Sequence, residues 1–504
     1  MLESFLAGVE LALRWETGLV MAAGLFLGIF VGALPGFTTL MAMAILLPLS
    51  FFVEPLIGIP FLIGVYKGGI FGGSIPAILL AIPGTGASVA TVLDGAPLAR
   101  KGQARKALDM ALIASVFGDL SSDLVTILLI GPIALIALQF GPPELAAILL
   151  LSMVVIAATS SGAFVKGLLM MTLGLMFALV GLDPIGALSR FTFDIFALRA
   201  GIPLLPLLIG VYALSEILLA IEQRAAAEVR RTAGLAEGER LSFADLRRCF
   251  RTILRSTAIG TVIGMIPGVG QVVAAFTGWA AAKNASKHPE RFGRGELEGV
   301  AAAEAANNAV NGPTLVPLLT LGIPGDNITA ILLGAFIAQG LRPGPQLMSE
   351  QGPLVFAVLV AMLLANILFL VIGYLAIPLF AKVVTIRRSL LLPLTVVFAF
   401  VGVYVARSDP VDLYFLVFFG AFGYVARKLR FDVTPMVMAF ILGTPLEVAF
   451  GQTLSLGRGD VLGYLLSERP IAVALLLSIP LVAWLLWRRS LRLRQAVEAT
   501  AGRA

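Results

Sequence analysis

The chain has 504 residues, of which 59% are hydrophobic and only 13% are charged, against roughly 25% charged in an ordinary soluble domain. Too few polar groups remain to cover a soluble surface, so the composition excludes a soluble enzyme and requires an integral membrane protein. The net charge of +6 needs no nucleic-acid partner, because Lys and Arg gather in loops as the positive-inside rule expects.

Residues 1–16 carry Glu3, Glu10, Arg14 and Glu16 and lack the positive start and small-residue cleavage site of a signal peptide. They are expected to remain as an N-terminal segment. Apolar runs follow near 17–33, 37–53, 56–66, 68–93, 107–138, 144–159, 163–182 and 201–220, then near 256–282, 300–322, 326–340, 353–381, 389–406, 411–426, 433–454 and 470–487. A charged stretch at 221–255 divides a first transmembrane repeat (17–220) from a second (256–487), and a basic tail occupies 488–504. At about 20 apolar residues per span of roughly 30 Å, the expected fold is an all-α polytopic membrane protein with about 10–12 transmembrane helices. Some runs are too short or too broken for full spans and are expected to be re-entrant or broken helices. The lone cysteine, Cys249, lies in the charged stretch, and the lone histidine, His288, in a polar loop. Neither a disulfide nor a Cys- or His-based metal centre is expected.

One pattern occurs twice. Gly32-Ala33-Leu34-Pro35-Gly36 precedes Gly72-Gly73-Ser74-Ile75-Pro76 and Ile82-Pro83-Gly84-Thr85, and Gly264-Met265-Ile266-Pro267-Gly268 precedes Pro317 and Ile323-Pro324-Gly325-Asp326. Seven residues separate Pro76 from Pro83 and again Pro317 from Pro324, each time closing on Ile-Pro-Gly. Matched Pro/Gly interruptions in two halves are the sequence sign of a transport site built from broken helices. Proline and glycine break a helix, and in hydrocarbon the freed backbone groups must face protein or water. Pro and Gly are enriched in membrane helices anyway, which accounts for one such motif but poorly for a duplicated set. Equivalent loops carry opposite charge bias. Arg100, Lys101, Arg105 and Lys106 answer to a segment holding only Arg342; the cation-free 51–55 answers to Lys283, Lys287, Arg291 and Arg294; and the cation-free 139–144 answers to Lys382, Arg387 and Arg388. If cations mark the cytoplasmic side, the two repeats are inverted and the linker and tail are cytoplasmic.

Helix N-termini at the breaks would suit a carboxylate, and carbonyls at unwound segments would suit Na⁺. Small polar groups lie beside them: Thr38, Thr39, Ser74, Thr85 and Ser88, then Asn307, Asn308, Asn311, Asn327 and Thr329. Glu304 precedes Asn307-Asn308 in an Ala-rich run, where a purely structural helix would not need three polar groups; helix–helix hydrogen bonding is the alternative reading of that cluster. Lys67 stands in an apolar stretch, where a cation costs roughly 2.5–3.5 kcal/mol. Its partner would be a substrate carboxylate, Asp94, Asp326 or Glu304, unless the side chain snorkels to an interface. Asp119 and Asp123, four apart on one helix face, would bind a coupling H⁺ or Na⁺, or else face a partner membrane subunit.

Gly32–Gly36, Tyr66–Ser74, Thr85-Gly86-Ala87-Ser88, Leu93-Asp94-Gly95-Ala96-Pro97-Leu98-Ala99-Arg100-Lys101-Gly102, Gly299–Asn308 with its Glu304-Ala305-Ala306-Asn307-Asn308, and Leu321–Gly325 together resemble the large membrane subunit of the tripartite tricarboxylate transporters, the TctA family. The resemblance runs from about Gly18 to the last span. It implies a secondary transporter of the bacterial inner membrane that works with a small, TctB-like membrane subunit and a periplasmic, TctC-like solute-binding protein. The cargo would be a di- or tricarboxylate or another organic acid, carried inward by a Na⁺ or H⁺ gradient, with no cofactor and no enzymatic step. Lys67, Pro76, Ala81, Asp119, Asp123 and Asp326 depart from the family's usual residues. The expected substrate site comprises Pro35, Gly36, Thr38, Lys67, Ser74, Pro83, Gly84, Thr85, Pro267, Gly268, Asn307, Asn308, Pro324, Gly325, Asp326 and Asn327. The coupling-ion candidates are Asp119, Asp123, Glu304 and Asp326. An organic-anion channel would need a continuous polar pore lining, which scattered acids do not supply. A non-transporting receptor for the binding protein is the weaker variant.

Overall fold

Backbone groups buried in lipid must bond internally, and this chain meets that demand with helices almost throughout. The computed structural model describes residues 2–35, 37–159, 164–222, 239–383 and 388–501. Gly36, residues 223–238 of the charged stretch, Arg387 and residues 502–504 of the tail lie outside them. The first half comprises α1 (Leu2–Ala12), α2 (Trp15–Gly32), α3 (Thr39–Leu46), α4 (Pro55–Gly72), α5 (Ser74–Leu80), α6 (Ser88–Arg100), α7 (Ala104–Ala137), α8 (Pro142–Thr159), α9 (Phe164–Ala178), α10 (Phe196–Arg199), α11 (Leu204–Leu208) and α12 (Ser215–Glu222). The second comprises α13 (Phe243–Gly264), α14 (Gly270–Ala285), α15 (Leu297–Asn308), α16 (Leu315–Leu321), α17 (Asn327–Ala338), α18 (Leu347–Val383), α19 (Arg388–Arg407), α20 (Val411–Lys428), α21 (Thr434–Leu456), α22 (Val461–Glu468) and α23 (Pro470–Ala501). Strand occurs among the described residues only as the small antiparallel pair Gly181–Leu182 and Ser189–Arg190. Among the same residues, 7 helical stretches are long and apolar enough to cross a membrane, and shorter apolar helices of 10–17 residues accompany them. The all-α polytopic expectation holds.

The element order of the first half recurs in the second. α2, a break, α3, a 3₁₀ turn, α4, the short α5, a break, α6 and the long α7 match α13, a break, α14, a 3₁₀ turn, α15, the short α16, a break, α17 and the long α18. α5 and α16 are both 7 residues long and both end on a left-handed residue, Ala81 at φ 58° and Gly322 at φ 71°. The runs at 256–282 and 300–322 are each divided, the first by a break and the second where α15 gives way to α16. The runs at 56–66 and 68–93 are cut differently, since the helix passes through Lys67 without interruption. Residues 243–255 of the charged stretch form the first turns of α13. That helix starts at Ser242, whose hydroxyl accepts from the Asp245 N–H while Asp245 accepts from the Ser242 N–H, each at 3.2 Å, a reciprocal cap.

Two compact units result, Met1–Ala134 with Tyr212–Ser408, and Leu135–Val211 with Asp409–Ala504. Each takes one stretch from each half of the sequence. In the first unit α2 and α4 meet along facing glycine rows, Gly24, Gly28 and Gly32 against Gly64, Gly68 and Gly72. A methyl group on Gly64 or Gly72 would sit 2.6 Å from the carbonyl oxygen of Met21 or Ile29. Small residues four apart let membrane helices approach to backbone contact, where dispersion replaces the absent hydrophobic drive. α1 seats on α18 with Phe5 edge-on to Phe356 at 5.6 Å. In the second unit α9 packs on α8 and α21, Phe177 stands edge-on to Phe419 at 5.4 Å, and Arg190 donates to Glu447 at 3.0 Å.

Two outcomes are expected. Gly28→Leu inserts a side chain into the α2–α4 contact and is expected to lower stability by at least about 1–3 kcal/mol, read as a lower melting temperature in detergent. Cys249 is fully buried, and burial pushes its thiol up to about 12, so the reactive thiolate is scarce at neutral pH. Maleimide labelling of the native chain should therefore be far slower than labelling after denaturation.

Candidate functional site

All four breaks fall in the first unit, and each is followed by a helix N-terminus, those of α3, α6, α14 and α17. The backbone groups freed at the breaks find partners in other breaks or beside them. The Gly84 N–H donates to the Gly73 carbonyl at 3.1 Å, and the Gly268 N–H donates to the Gly325 carbonyl at 2.8 Å. Gly84 also lies against the Gly32 carbonyl, where a methyl group would be 2.7 Å away, and Gly86 faces Val272 in the first turn of α14. The Pro35, Pro83, Pro267 and Pro324 segments are thus drawn into one region.

The four N-termini differ in how they are capped. The Thr38 hydroxyl accepts from the Met41 N–H at 3.2 Å at the start of α3. At α6, Ser88 Oγ accepts from the Thr85 N–H at 3.0 Å and Thr85 Oγ1 from the Ser88 N–H at 3.1 Å. α14 begins at Val269 without a side-chain cap. α17 begins at Asp326, whose Oδ1 accepts from the Thr329 N–H at 2.8 Å, while Thr329 Oγ1 accepts from the Asp326 N–H at 2.8 Å. Asp326 therefore occupies this N-terminus with the protein's own carboxylate, adjoining Asn327. Its Oδ2 accepts from the Tyr66 hydroxyl at 3.1 Å, and Gln271 bridges Tyr66 Oη and Asn311 Oδ1, donating to each at 2.9 Å.

Two further polar groups are enclosed beside this region. Glu304 accepts from Ser74 at 2.6 Å and from Thr91 on Oε1, and from Ser115 at 3.0 Å on Oε2. Asn308 donates to Ser115 at 2.8 Å. Ser74 is thus engaged with Glu304. Asn307 is 1% exposed, and neither polar atom of its amide has a hydrogen-bond partner among the described residues. Lys67 is wholly buried and lies 2.8 Å from Asp119 Oδ1 and 2.6 Å from Asp123 Oδ2. It also donates to Asn366 Oδ1 at 3.2 Å, and Asn366 Nδ2 donates to Asp123 Oδ2 at 2.7 Å.

These contacts revise several expectations. Lys67 does not snorkel, and its protein partners are Asp119 and Asp123, not Asp94, Asp326 or Glu304. The Asp119/Asp123 face points into the unit, so it is not a surface for a partner subunit. Asp94 instead holds the loop before α15: its Oδ1 accepts from the N–H groups of Gly293, Gly295 and Glu296 at 2.8, 3.0 and 2.9 Å, and its Oδ2 accepts from the Trp279 indole at 2.8 Å. Tyr66, Gln271, Asn366, Ser115 and Thr91 were not singled out as site residues. Asn366 and Gln271 carried a signal, the lone amides of the apolar runs 353–381 and 256–282.

The TctA family model, described as the tripartite tricarboxylate transporter TctA family, matches residues 19–438. The chain belongs to this family. It is 36% identical over 475 residues, 93% of both chains, to an uncharacterised 52.8 kDa protein in the TAR-I ttuC′ 3′ region of Agrobacterium vitis. It is also 37% identical over 217 residues, 43% of this chain and 89% of the other, to an uncharacterised protein in the TAR-II ttuC′ 3′ region of that organism. No solved structure matches. As a TctA protein the chain is a multi-pass membrane subunit of a tripartite transporter family, and the matched residues include all four breaks.

Removing one member of a buried ion pair strands the other charges at a cost of about 3–5 kcal/mol. Lys67→Met is expected to lower stability by that amount, and adding Asp119→Asn with Asp123→Asn should recover most of it. Thermal melting of the three-residue variant against Lys67→Met alone is the check.

Proposed function

We propose that this TctA protein is the large membrane subunit of a binding-protein-dependent secondary transporter in the bacterial inner membrane. It imports a di- or tricarboxylate or another organic acid on a Na⁺ or H⁺ gradient, with a small TctB-like membrane subunit and a periplasmic TctC-like binding protein. The observation that carries this reading is the gathering of four post-break helix N-termini in one unit. N-terminal N–H groups and the positive end of the helix dipole attract carboxylates without a fixed cation. A bound acid would meet the start of α14, which follows Pro267 and Gly268 and has no side-chain cap, and the starts of α3 and α6 beside Thr38 and Thr85. Asn307 supplies a buried amide with both ends open, as a ligand-binding side chain requires. The repeated element order together with the opposed loop charges supports inverted repeats. Alternating access then follows from movement of the unit that holds all four breaks.

Uptake of labelled di- and tricarboxylates into proteoliposomes holding this chain and its small partner, with the binding protein outside, tests the reading. Accumulation of one acid is expected only with both the binding protein and an imposed Na⁺ or pH gradient. Flux insensitive to both gradients would instead indicate a channel. Asn307→Leu should reduce uptake by about tenfold or more, matching loss of one hydrogen bond to a charged group worth about 1.5–3 kcal/mol. Its melting temperature should not fall, because no protein hydrogen bond is removed.

A further inference from the structure

The buried acids of the first unit are served very unequally. Glu304 has hydroxyl donors on both oxygens. Asp326 has Thr329 on Oδ1 and Tyr66 on Oδ2. Among the described residues of this unit, the fully buried carboxylate oxygens that lack a hydrogen-bond donor belong to Asp119 and Asp123. One ammonium touches one oxygen of each, which leaves Asp119 Oδ2 and Asp123 Oδ1 open. Asn311 lies beside Asp119, but its amide nitrogen makes no well-formed hydrogen bond.

Charge counting shows what is missing. One cation and two carboxylates, all at 0–2% exposure, leave one uncompensated negative charge, and a buried unpaired charge is among the most expensive features in a membrane protein. The groups facing the cluster do not remove it. α4 offers Lys67 and Tyr66, α18 offers neutral Asn366, the turn after α15 offers neutral Asn311, and the remaining acids, Asp326 beyond Tyr66 and Glu304 beyond Ser115, are negative when ionised. A single monovalent cation restores neutrality. The ammonium already bridges the two carboxylates, in the place a cation shared between them would take. A proton needs only one oxygen.

We infer that the Lys67–Asp119–Asp123 cluster binds one exchangeable proton on its open carboxylate oxygens, with Lys67 standing where a metal cation would otherwise lie. In the transport reading, on which this role rests, that proton is the coupling ion and Na⁺ is not. Binding adds H⁺ to a carboxylate and takes the cluster from a net charge of −1 to zero; release reverses it, and Lys67 stays an ammonium throughout.

Infrared difference spectra of the purified full chain, recorded between mildly acidic and mildly alkaline buffers, test the site without reference to transport. The wild type should show the carbonyl band of a protonated carboxylic acid that vanishes on alkalinisation. Asp119→Asn and Asp123→Asn each leave a neutral Lys–Asp pair, so each should lose that band while still melting cooperatively. Na⁺ at constant pH should leave the band unchanged. The cluster is read from the pH-dependent intensity that each variant removes, since any contribution of Glu304 or Asp326 stays the same in wild type and variants. The inference is overturned if the wild type has no pH-dependent band, if both folded variants keep its full intensity, or if Na⁺ abolishes it at fixed pH. In proteoliposomes with both partners, the two variants should lose pH-gradient-driven uptake while retaining exchange of the same acid. Should the wild type move no acid at all while its band behaves as expected, the transport reading fails and the proton site stands.

Discussion

A broken helix inside a membrane protein exposes backbone donors and acceptors that hydrocarbon cannot satisfy, and the first unit is arranged around meeting that demand four times. Two of the breaks draw on backbone in or beside another. Gly84 donates to Gly73 and Gly268 donates to Gly325, contacts that a side chain at these positions would obstruct. The glycine rows of α2 and α4 extend the same requirement along the helices. α2 ends and α5 begins where these rows run out, so the close approach of the two backbones positions the Pro35 and Pro83 segments together. Packing and site geometry are therefore one constraint: the breaks exist where the helices are closest.

The polar groups around the breaks are graded by how completely they are served. Asp94, with four donors, is a structural fastening between α6 and the loop before α15. Glu304, surrounded by hydroxyls, joins α5, α6, α7 and α15. The Lys67 cluster joins α4, α7 and α18 and is the one with carboxylate oxygens that lack a hydrogen-bond donor among the described residues of the unit. A buried ionic group contributes little to stability against a well-packed apolar alternative, so stability alone gives no reason for carrying Lys67, Asp119 and Asp123 at 0–2% exposure. The requirement they meet is the handling of charge.

Much of this was legible in the sequence because it is written in residue types with strong local consequences. Pro-Gly pairs at matched spacing located all four breaks, and the apolar runs located most helices. The boundaries that were misjudged, at Lys67 and in 243–255, are those where composition and helicity part company: a buried lysine reads as a loop, and the charged turns of α13 read as a linker. The partners of Lys67 were hidden for a different reason. Periodicity shows that Asp119 and Asp123 share a face, but which helix that face meets is decided by tertiary packing, and Asn366 lies far away in sequence. The same holds for Tyr66, whose contacts with Asp326 and Gln271 cross between the two repeats. The glycine rows were visible as four-residue spacings, though only the backbone contacts give them meaning.

The two repeats match in element order but differ in electrostatics, and that difference bears on which half of the site receives an anion. α6 and α17 are equivalent helices after equivalent Ile-Pro-Gly breaks. The first has one neutral hydroxyl at its start, Thr85 Oγ1 accepting from the Ser88 N–H, which leaves the positive end of its dipole uncompensated. The second is capped by Asp326, a carboxylate that already takes the place an anionic ligand would hold. α14, without a side-chain cap, and α3, capped by Thr38, resemble α6 in this respect. Under the proposed function, a carboxylate substrate would be disfavoured at the start of α17 relative to the other three helix ends.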